Sequence, residues 1–135
     1  MEAIKHFFSE RDQFAKHSGI ELVSVAPGRA QAKMVLCQHH WNGVDLAHGG
    51  AIFTLADFAF AAASNSHGTI AVAINVSISF LKAASTGTLW ADAREVSLNP
   101  KLGSYTVDVK DDAGQLVAVF QGLAYRKKDK LPIQS

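Results

Sequence analysis

The apolar positions change period several times along this chain. Between residues 2 and 16, Ile4, Phe7, Phe8, Arg11 and Phe14 fall three and four apart. That spacing predicts one amphipathic helix with its stripe on a core. Gly19 closes the turn after it. Residues 20–25 read as a strand and Pro27-Gly28 as a turn. Residues 29–36 then alternate, with Ala30, Ala32, Met34 and Leu36 on one face and Arg29, Gln31 and Lys33 on the other. The two runs predict a hairpin. Residues 37–47 lack a period and predict a loop. From residues 48–50 to about Ser64 the chain is apolar on nearly every side, as in a helix enclosed by other structure. Small residues at 56, 59 and 61–63 let a sheet approach it closely.

Strand patterns fill the remainder. In residues 70–81, Val72, Ile74, Val76, Ile78 and Phe80 share one face, and Ala73, Asn75, Ser77 and Ser79 the other. Residues 88–98 form the next strand. In residues 104–110, Tyr105, Val107 and Val109 alternate with polar partners, and the loop 111–114 predicts a hairpin. Residues 116–126 are apolar on both faces over part of their length, which predicts a strand central in its sheet or covered by a partner subunit. Helix, two strands, buried helix and four strands predict an α+β fold: one antiparallel sheet wrapped around a long central helix. The open edges and outer face of such a sheet predict a homo-oligomer.

A length of 135 residues suits a single domain spanning 1–135, with an N-terminal helix over 1–17 and a tail over 127–135. With 48% hydrophobic and 19% charged residues the chain reads as globular. A net charge of +1 gives no footprint for nucleic acid. The basic cluster Arg126, Lys127, Lys128 and Lys130 reads as a solvated tail, with an anionic ligand as the alternative. The lone Cys37 excludes an intrachain disulfide and fits a reducing compartment. The N-terminus lacks the apolar core of a signal peptide, and the apolar run 51–63 is too short to span a bilayer, so the expected location is cytoplasmic, with no membrane partner.

The chemistry concentrates between His39 and Ser66. His48-Gly49-Gly50 opens a helix, whose first N–H groups lack intrahelical partners. With the helix dipole they form a place for an anion or developing oxyanion. The alternative is that the glycines serve only a tight turn. Asp57 stands in an apolar helix with no Lys or Arg at i±3 or i±4. It either meets a polar partner elsewhere or does chemistry. Eight residues of helix separate Gly49 from Asp57 by ~12 Å of rise. One subunit's pair cannot reach one reacting carbonyl, so a shared site requires two subunits across a two-fold axis. Asn42 is compatible with a simple turn or with holding a carbonyl or water; His48, with capping the helix, donating to a carbonyl or orienting Asn42. Phe53, Phe58, Phe60 and Leu55 fit either core packing or an apolar ligand pocket. His39, His40 and Asp45 match no zinc spacing, so no metal is expected. No P-loop, dinucleotide fingerprint or G-x-S-x-G elbow is found.

Asn42-Gly43, His48-Gly49-Gly50 and Leu55-Ala56-Asp57 together resemble the motif of hotdog-fold acyl-CoA thioesterases of the phenylacetic-acid-degradation type. The likeness covers about residues 30–126. It implies that Asp57 is the catalytic carboxylate, as general base or nucleophile. It implies that the Gly49 N–H polarises the thioester carbonyl, that Asn42 positions carbonyl and water, and that His48 supports that loop. Gly50 and Phe58 are expected to contact substrate, and Lys82 and Lys101 the CoA phosphates. No cofactor is implied; the expected partners are an acyl-CoA and further copies of the chain, as a homodimer and a homotetramer. Some relatives carry Ser or Thr where this chain has Ala73, which leaves two readings: water positioning differs here, or another group supplies it. Two other readings stand beside hydrolysis: a non-catalytic acyl-CoA-binding protein, and an enoyl-thioester hydratase or dehydratase using His48. The acyl group, and CoA against acyl-carrier protein, are left open.

Overall fold

The computed structural model describes residues 1–133. The expected N-terminal helix is two helices, α1 (Glu2–Arg11) and α2 (Gln13–His17). The break is at Asp12, whose backbone is extended and whose carboxylate accepts the Ala15 N–H at 3.0 Å. A short carboxylate side chain is a poor interior helix residue and a good cap, so it ends one helix and starts the next. The predicted stripe splits with it: Ile4 is buried, but Phe14 is 66% exposed.

Strands β1 (Ile20–Ala26) and β2 (Arg29–Val35) form the expected antiparallel hairpin. Ala30, Ala32, Met34 and Leu36 are buried as their alternation predicts. The loop that follows contains a 3-10 turn, Gln38–His40, and an isolated bridge between Trp41 and Ala47. Buried His40 holds it. Its Nδ1 accepts the Cys37 N–H at 3.1 Å, which leaves Nε2–H to donate to the Ser18 carbonyl at 2.6 Å.

Helix α3 (Gly49–Ser64) touches all six strands. Ile52, Leu55, Ala56, Phe58, Ala59, Phe60, Ala62 and Ala63 are buried, while Gly50, Thr54, Asp57 and Ala61 form a stripe left partly uncovered. The approach of sheet to helix is tight: a Cβ on Gly122 would lie 2.7 Å from the Phe60 ring.

Strands β3 (Thr69–Phe80), β4 (Thr88–Leu98), β5 (Leu102–Lys110) and β6 (Leu116–Lys130) complete an antiparallel sheet of order β1-β2-β4-β5-β6-β3. β6 is internal, as its two apolar faces require. It runs on through Lys130, which pairs with Thr69, so residues 127–130 belong to the sheet instead of the expected tail. Residues 134–135 of that tail lie outside the described residues.

The predicted single face of β3 also breaks. Ala73 pairs with Ala124 and Asn75 with the adjacent Leu123, which leaves Ile74 as an extra residue. A bulge of one residue reverses the alternation beyond it. Val76, Ile78 and Phe80 therefore pair with the inward-facing Gly122, Phe120 and Ala118, whereas Val72 pairs with the exposed Tyr125. By the same reversal Ala73 lies on the face opposite Asn75 and Ser77.

Candidate active site

Gly49 is the first residue of α3, and His48 caps it in an extended conformation (φ −61°, ψ 136°). The His48 Nδ1 accepts the Gly50 N–H at 2.8 Å, and the His48 carbonyl accepts from Ala51 and Ile52 at 2.9 and 3.1 Å. Of the two glycines, Gly50 therefore spends its N–H on the cap. Among the described residues no acceptor meets the Gly49 N–H. The Phe80 ring lies over Gly49, where a Cβ would come to 3.2 Å of its Cζ.

Asn42 faces the same end of the helix. Its Oδ1 accepts the N–H groups of Val44 and Leu46 at 2.9 and 3.2 Å. Its main-chain N–H donates to the Leu46 carbonyl at 2.7 Å. The side-chain oxygen thus builds the loop, and the Nδ2 hydrogens are what the residue has to offer a ligand. Asn42, Gly49, Ile52, Phe80 and Lys82 line one cavity of about 390 Å³.

Asp57 lies two turns further along α3, half-buried, outside that cavity. Burial pushes its carboxyl above the usual carboxylate range, and the nearby Asp12 carboxylate pushes it further. A second cavity, about 610 Å³, opens between α2 and the start of α3; Phe14, Val35, Trp41, Gly50 and Thr54 are among its walls.

The remaining expected residues separate. Lys82 stands near Gly49 but is bound to the β5–β6 hairpin, through Asp111 Oδ2 at 2.6 Å and the Gln115 side-chain oxygen. That hydrogen bond holds the Asp111 carboxyl below its ordinary range. Lys101 is at the opposite end of β6: the Lys82 N–H meets the Val117 carbonyl, whereas the Lys101 carbonyl meets the Arg126 N–H. Those β6 positions are about 30 Å apart at the rise of a strand. Within one chain Lys82 and Lys101 do not share a ligand. Phe58 is 3% exposed and packs in the core, so the structure gives it a packing place instead of a ligand wall. Phe53 is only partly buried, edge-on to Phe120.

Residues 45–118, which include Gly49, Asp57 and the bulged strand, match the thioesterase superfamily. This chain belongs to that family. As a thioesterase of the hotdog fold it is 37% identical over 122 residues to the acyl-coenzyme A thioesterase PaaI of Escherichia coli K12, covering 90% of this chain and 87% of that one. The solved E. coli PaaI protein, from the phenylacetic acid degradation operon, superposes with a TM-score of 0.89 at 35% identity, over 93% of this chain and 91% of that one. A Streptococcus mutans protein crystallised with acetyl-CoA has a TM-score of 0.79 at 28% identity, over 83% and 91% of the two chains. The thioesterase has no helix, among its described residues, long and apolar enough to cross a membrane. No group of three or more metal-ligating side chains is found among them either.

Two neighbours of the site escape a reading of the sequence. Asp12 looks like one more polar residue on an amphipathic helix; its sole local signal is that Asp caps helices better than it continues them. Phe14 fits the helical stripe and becomes a cavity wall only because the helix breaks before it.

Proposed function

We propose that this thioesterase hydrolyses an acyl-CoA to the free acid and CoA, at a site assembled from two copies of the chain. The observation that carries the proposal is the division of labour along α3: an uncommitted N–H at Gly49, and two turns away, on another part of the helix, a carboxylate raised in pKa. An electrophilic group and a basic group ~12 Å apart on one helix serve a common carbonyl only when two helices run antiparallel. The edge strand β3 supplies a means: it is 12 residues long and has a free edge beyond the β6 pairing. Pairing of two β3 edges joins the sheets and brings the helices together. Two dimers then associate as a tetramer.

In the proposed reaction the Gly49 N–H of one subunit holds the thioester oxygen as negative charge develops. The Asn42 Nδ2 hydrogens position carbonyl or water, and His48 holds the helix start in place through its cap. Asp57 of the other subunit is the attacking end. It takes a proton from water or itself bonds to the carbonyl carbon, and the thiolate of CoA leaves. A carboxylate with raised pKa is the stronger base, which suits the first route. Label in Asp57 after a single turnover in ¹⁸O-water identifies nucleophilic attack, with water opening the anhydride at the Asp57 carbonyl. At Lys82, beside the Gly49 cavity, a CoA phosphate competes with Asp111 and Gln115 for the ammonium; Lys101 reaches it only from another subunit. Similarity to a protein crystallised with acetyl-CoA favours CoA over a carrier protein.

Thiol release from acyl-CoA tests this directly. Asp57→Asn is expected to lower turnover by at least about 10³-fold while ligand binding persists. Gly49→Pro removes the N–H, and the purified mixed dimer of that chain with Asp57→Asn is expected to recover up to about half of the wild-type rate, because one of its two sites is intact. Turnover by the Asp57→Asn homodimer overturns the role of Asp57. Absence of rescue in the mixed dimer overturns the shared site.

A further inference from the structure

We infer that Asp111 and Gln115 are specificity-determining residues: they hold the Lys82 ammonium in competition with phosphate, so that a phosphate-bearing thiol or thioester binds Lys82 only by displacing them, and product CoA leaves faster as a result. The inference rests on the reading above that Lys82 meets a CoA phosphate, and adds what opposes that contact. Lys82 is the one charged side chain among the described residues that line the cavity of Gly49 and Asn42. Its Nζ donates to Asp111 Oδ2 at 2.6 Å and to the Gln115 side-chain oxygen. Two acceptors thus stand where phosphate oxygens bind an ammonium, and one of them is anionic. A diphosphate approaching Lys82 meets that carboxylate as well as the cation, and like charges at close range repel.

The β5–β6 hairpin is built to present this carboxylate. Asp111 Oδ1 accepts the N–H groups of Ala113 and Gln115 at 3.0 and 2.9 Å, so one oxygen shapes the turn. The other oxygen, Oδ2, faces Lys82. The segment between β3 and β4 is fastened without the pair. The Ala84, Ser85 and Gly87 carbonyls accept from the Ala47 N–H, the Trp41 ring N–H and the Leu36 N–H at 2.7, 2.8 and 2.8 Å. Asp112 Oδ2 accepts the Thr88 N–H at 3.0 Å. The Lys82 and Asp111 side chains keep 43% and 18% of their surface in water, and ion pairs so solvated add little to stability. What the pair changes is the charge that a phosphate meets. Substrate and product carry the same phosphates, so a cation already partly satisfied weakens both. A contact shared by substrate and product lowers KM without raising kcat. Loosening it therefore takes little from turnover and shortens the stay of CoA.

The test measures inhibition by free CoA and by pantetheine, the same arm without phosphates. The substrate is S-phenylacetyl-N-acetylcysteamine, a thioester that carries no phosphate. Asp111→Asn keeps the oxygen that shapes the turn and removes the charge. Its Ki for CoA is expected to fall about three- to fivefold, with the Ki for pantetheine within about 1.5-fold of wild type. Gln115→Ala, at an exposed position, is expected to act in the same direction by less than about twofold. Lys82→Met is expected to raise the Ki for CoA, and adding Asp111→Asn to it has no further effect, because both residues act through one contact. Equal falls for CoA and pantetheine, or a Ki for CoA that does not fall, overturn the inference. So does a full fall in the Lys82→Met background, which makes Asp111 a repelling charge that acts without Lys82. If Lys82→Met leaves inhibition by CoA unchanged, the reading of Lys82 as the phosphate contact fails and the inference with it. If Lys82→Met weakens CoA but Asp111→Asn does not strengthen it, the inference alone fails.

Discussion

The two ends of α3 are built on opposite terms. At the C-terminal end every polar group is spoken for. The Asn65 side chain donates to the Ala61 and Ala71 carbonyls at 2.8 and 3.2 Å and accepts the Ala71 N–H at 2.9 Å, which ties the helix to the first turns of β3. Ser66 donates to Ala63 at 2.6 Å and accepts the Gly28 N–H at 2.7 Å, and both Asn65 and Ser66 are buried. At the N-terminal end His48 and Gly50 are exposed, Gly49 keeps an unmatched N–H, and cavities open on both sides. Hydrogen-bonded anchoring is concentrated at one end, and polar groups are left unsatisfied at the other. This is the usual cost of preorganised chemistry, since groups already paired within the protein cannot bind a transition state.

After the loss of Asp57, the largest effect comes from taking the uncommitted main-chain donor of Gly49 away. Gly49→Pro is expected to lower kcat by about 10²- to 10³-fold, or about 2.7–4 kcal/mol, the range for losing one oxyanion donor. The helix tolerates it: proline suits the first helical position, and His48 already has the extended backbone that precedes proline. Gly49→Ala retains the N–H while adding a comparable contact with the Phe80 ring, so it separates the donor from the crowding. If the two variants lose activity equally, the N–H is not what matters. At the paired end the loss is of stability. Asn65→Ala leaves the Ala71 main-chain groups without their partners and is expected to cost about 2 kcal/mol in urea unfolding, with kcat per folded molecule unchanged.

Much of this division is legible in the sequence, and what is hidden has a common cause. The periods of residues 29–36 and 48–64 reveal the hairpin and the enclosed helix, since each side chain's environment follows from its own spacing. Asp57 stands out because no neighbour at helical spacing answers its charge. The bulge at Ile74 is silent, because Val72, Ile74 and Val76 alternate without interruption and only the register against β6 shows the slip. Asp12 beside Asp57, the Phe14 wall and the pairing of Lys82 with Asp111 all depend on contacts between distant segments, about which a local pattern carries no information.

Asp57 gives the comparison a pH dependence. Its folded pKa is raised, by burial first and by Asp12 second. For an acid so shifted, folding is favoured below the unfolded pKa, near 3.9, and that contribution is lost as pH rises through the folded value. At neutral pH Asp57→Asn is therefore expected to unfold at higher urea than wild type, with the gain vanishing toward acid. The same shift puts the acid limb of kcat/KM above the ordinary Asp range. Asp12→Asn keeps a capping side chain and removes the charge, so the limb is expected to move to lower pH with the fold intact. A limb that stays in place contradicts electrostatic coupling between the two.

The smallest effect is expected where the closed end looks most heavily bonded. His67 Nε2 lies 2.7 Å from Glu95 Oε2, which also accepts the buried Tyr105 hydroxyl at 3.3 Å. Burial, with the Glu95 charge behind it, pushes that phenol's pKa up, so it remains a donor across the working range. The His67 and Glu95 side chains keep 25% and 19% of their surface in water. Partly solvated pairs give back in side-chain order and desolvation most of what they gain, and commonly contribute under about 1 kcal/mol. His67→Ala leaves Glu95 with Tyr105 and solvent, and leaves the Asn65 and Ser66 bonds in place. Its urea midpoint is therefore expected to move far less than that of Asn65→Ala, with no change in thioester turnover. A loss as large as that of Asn65→Ala shifts the anchor of this end from the helix cap to the His67–Glu95 contact between the α3–β3 turn and β4.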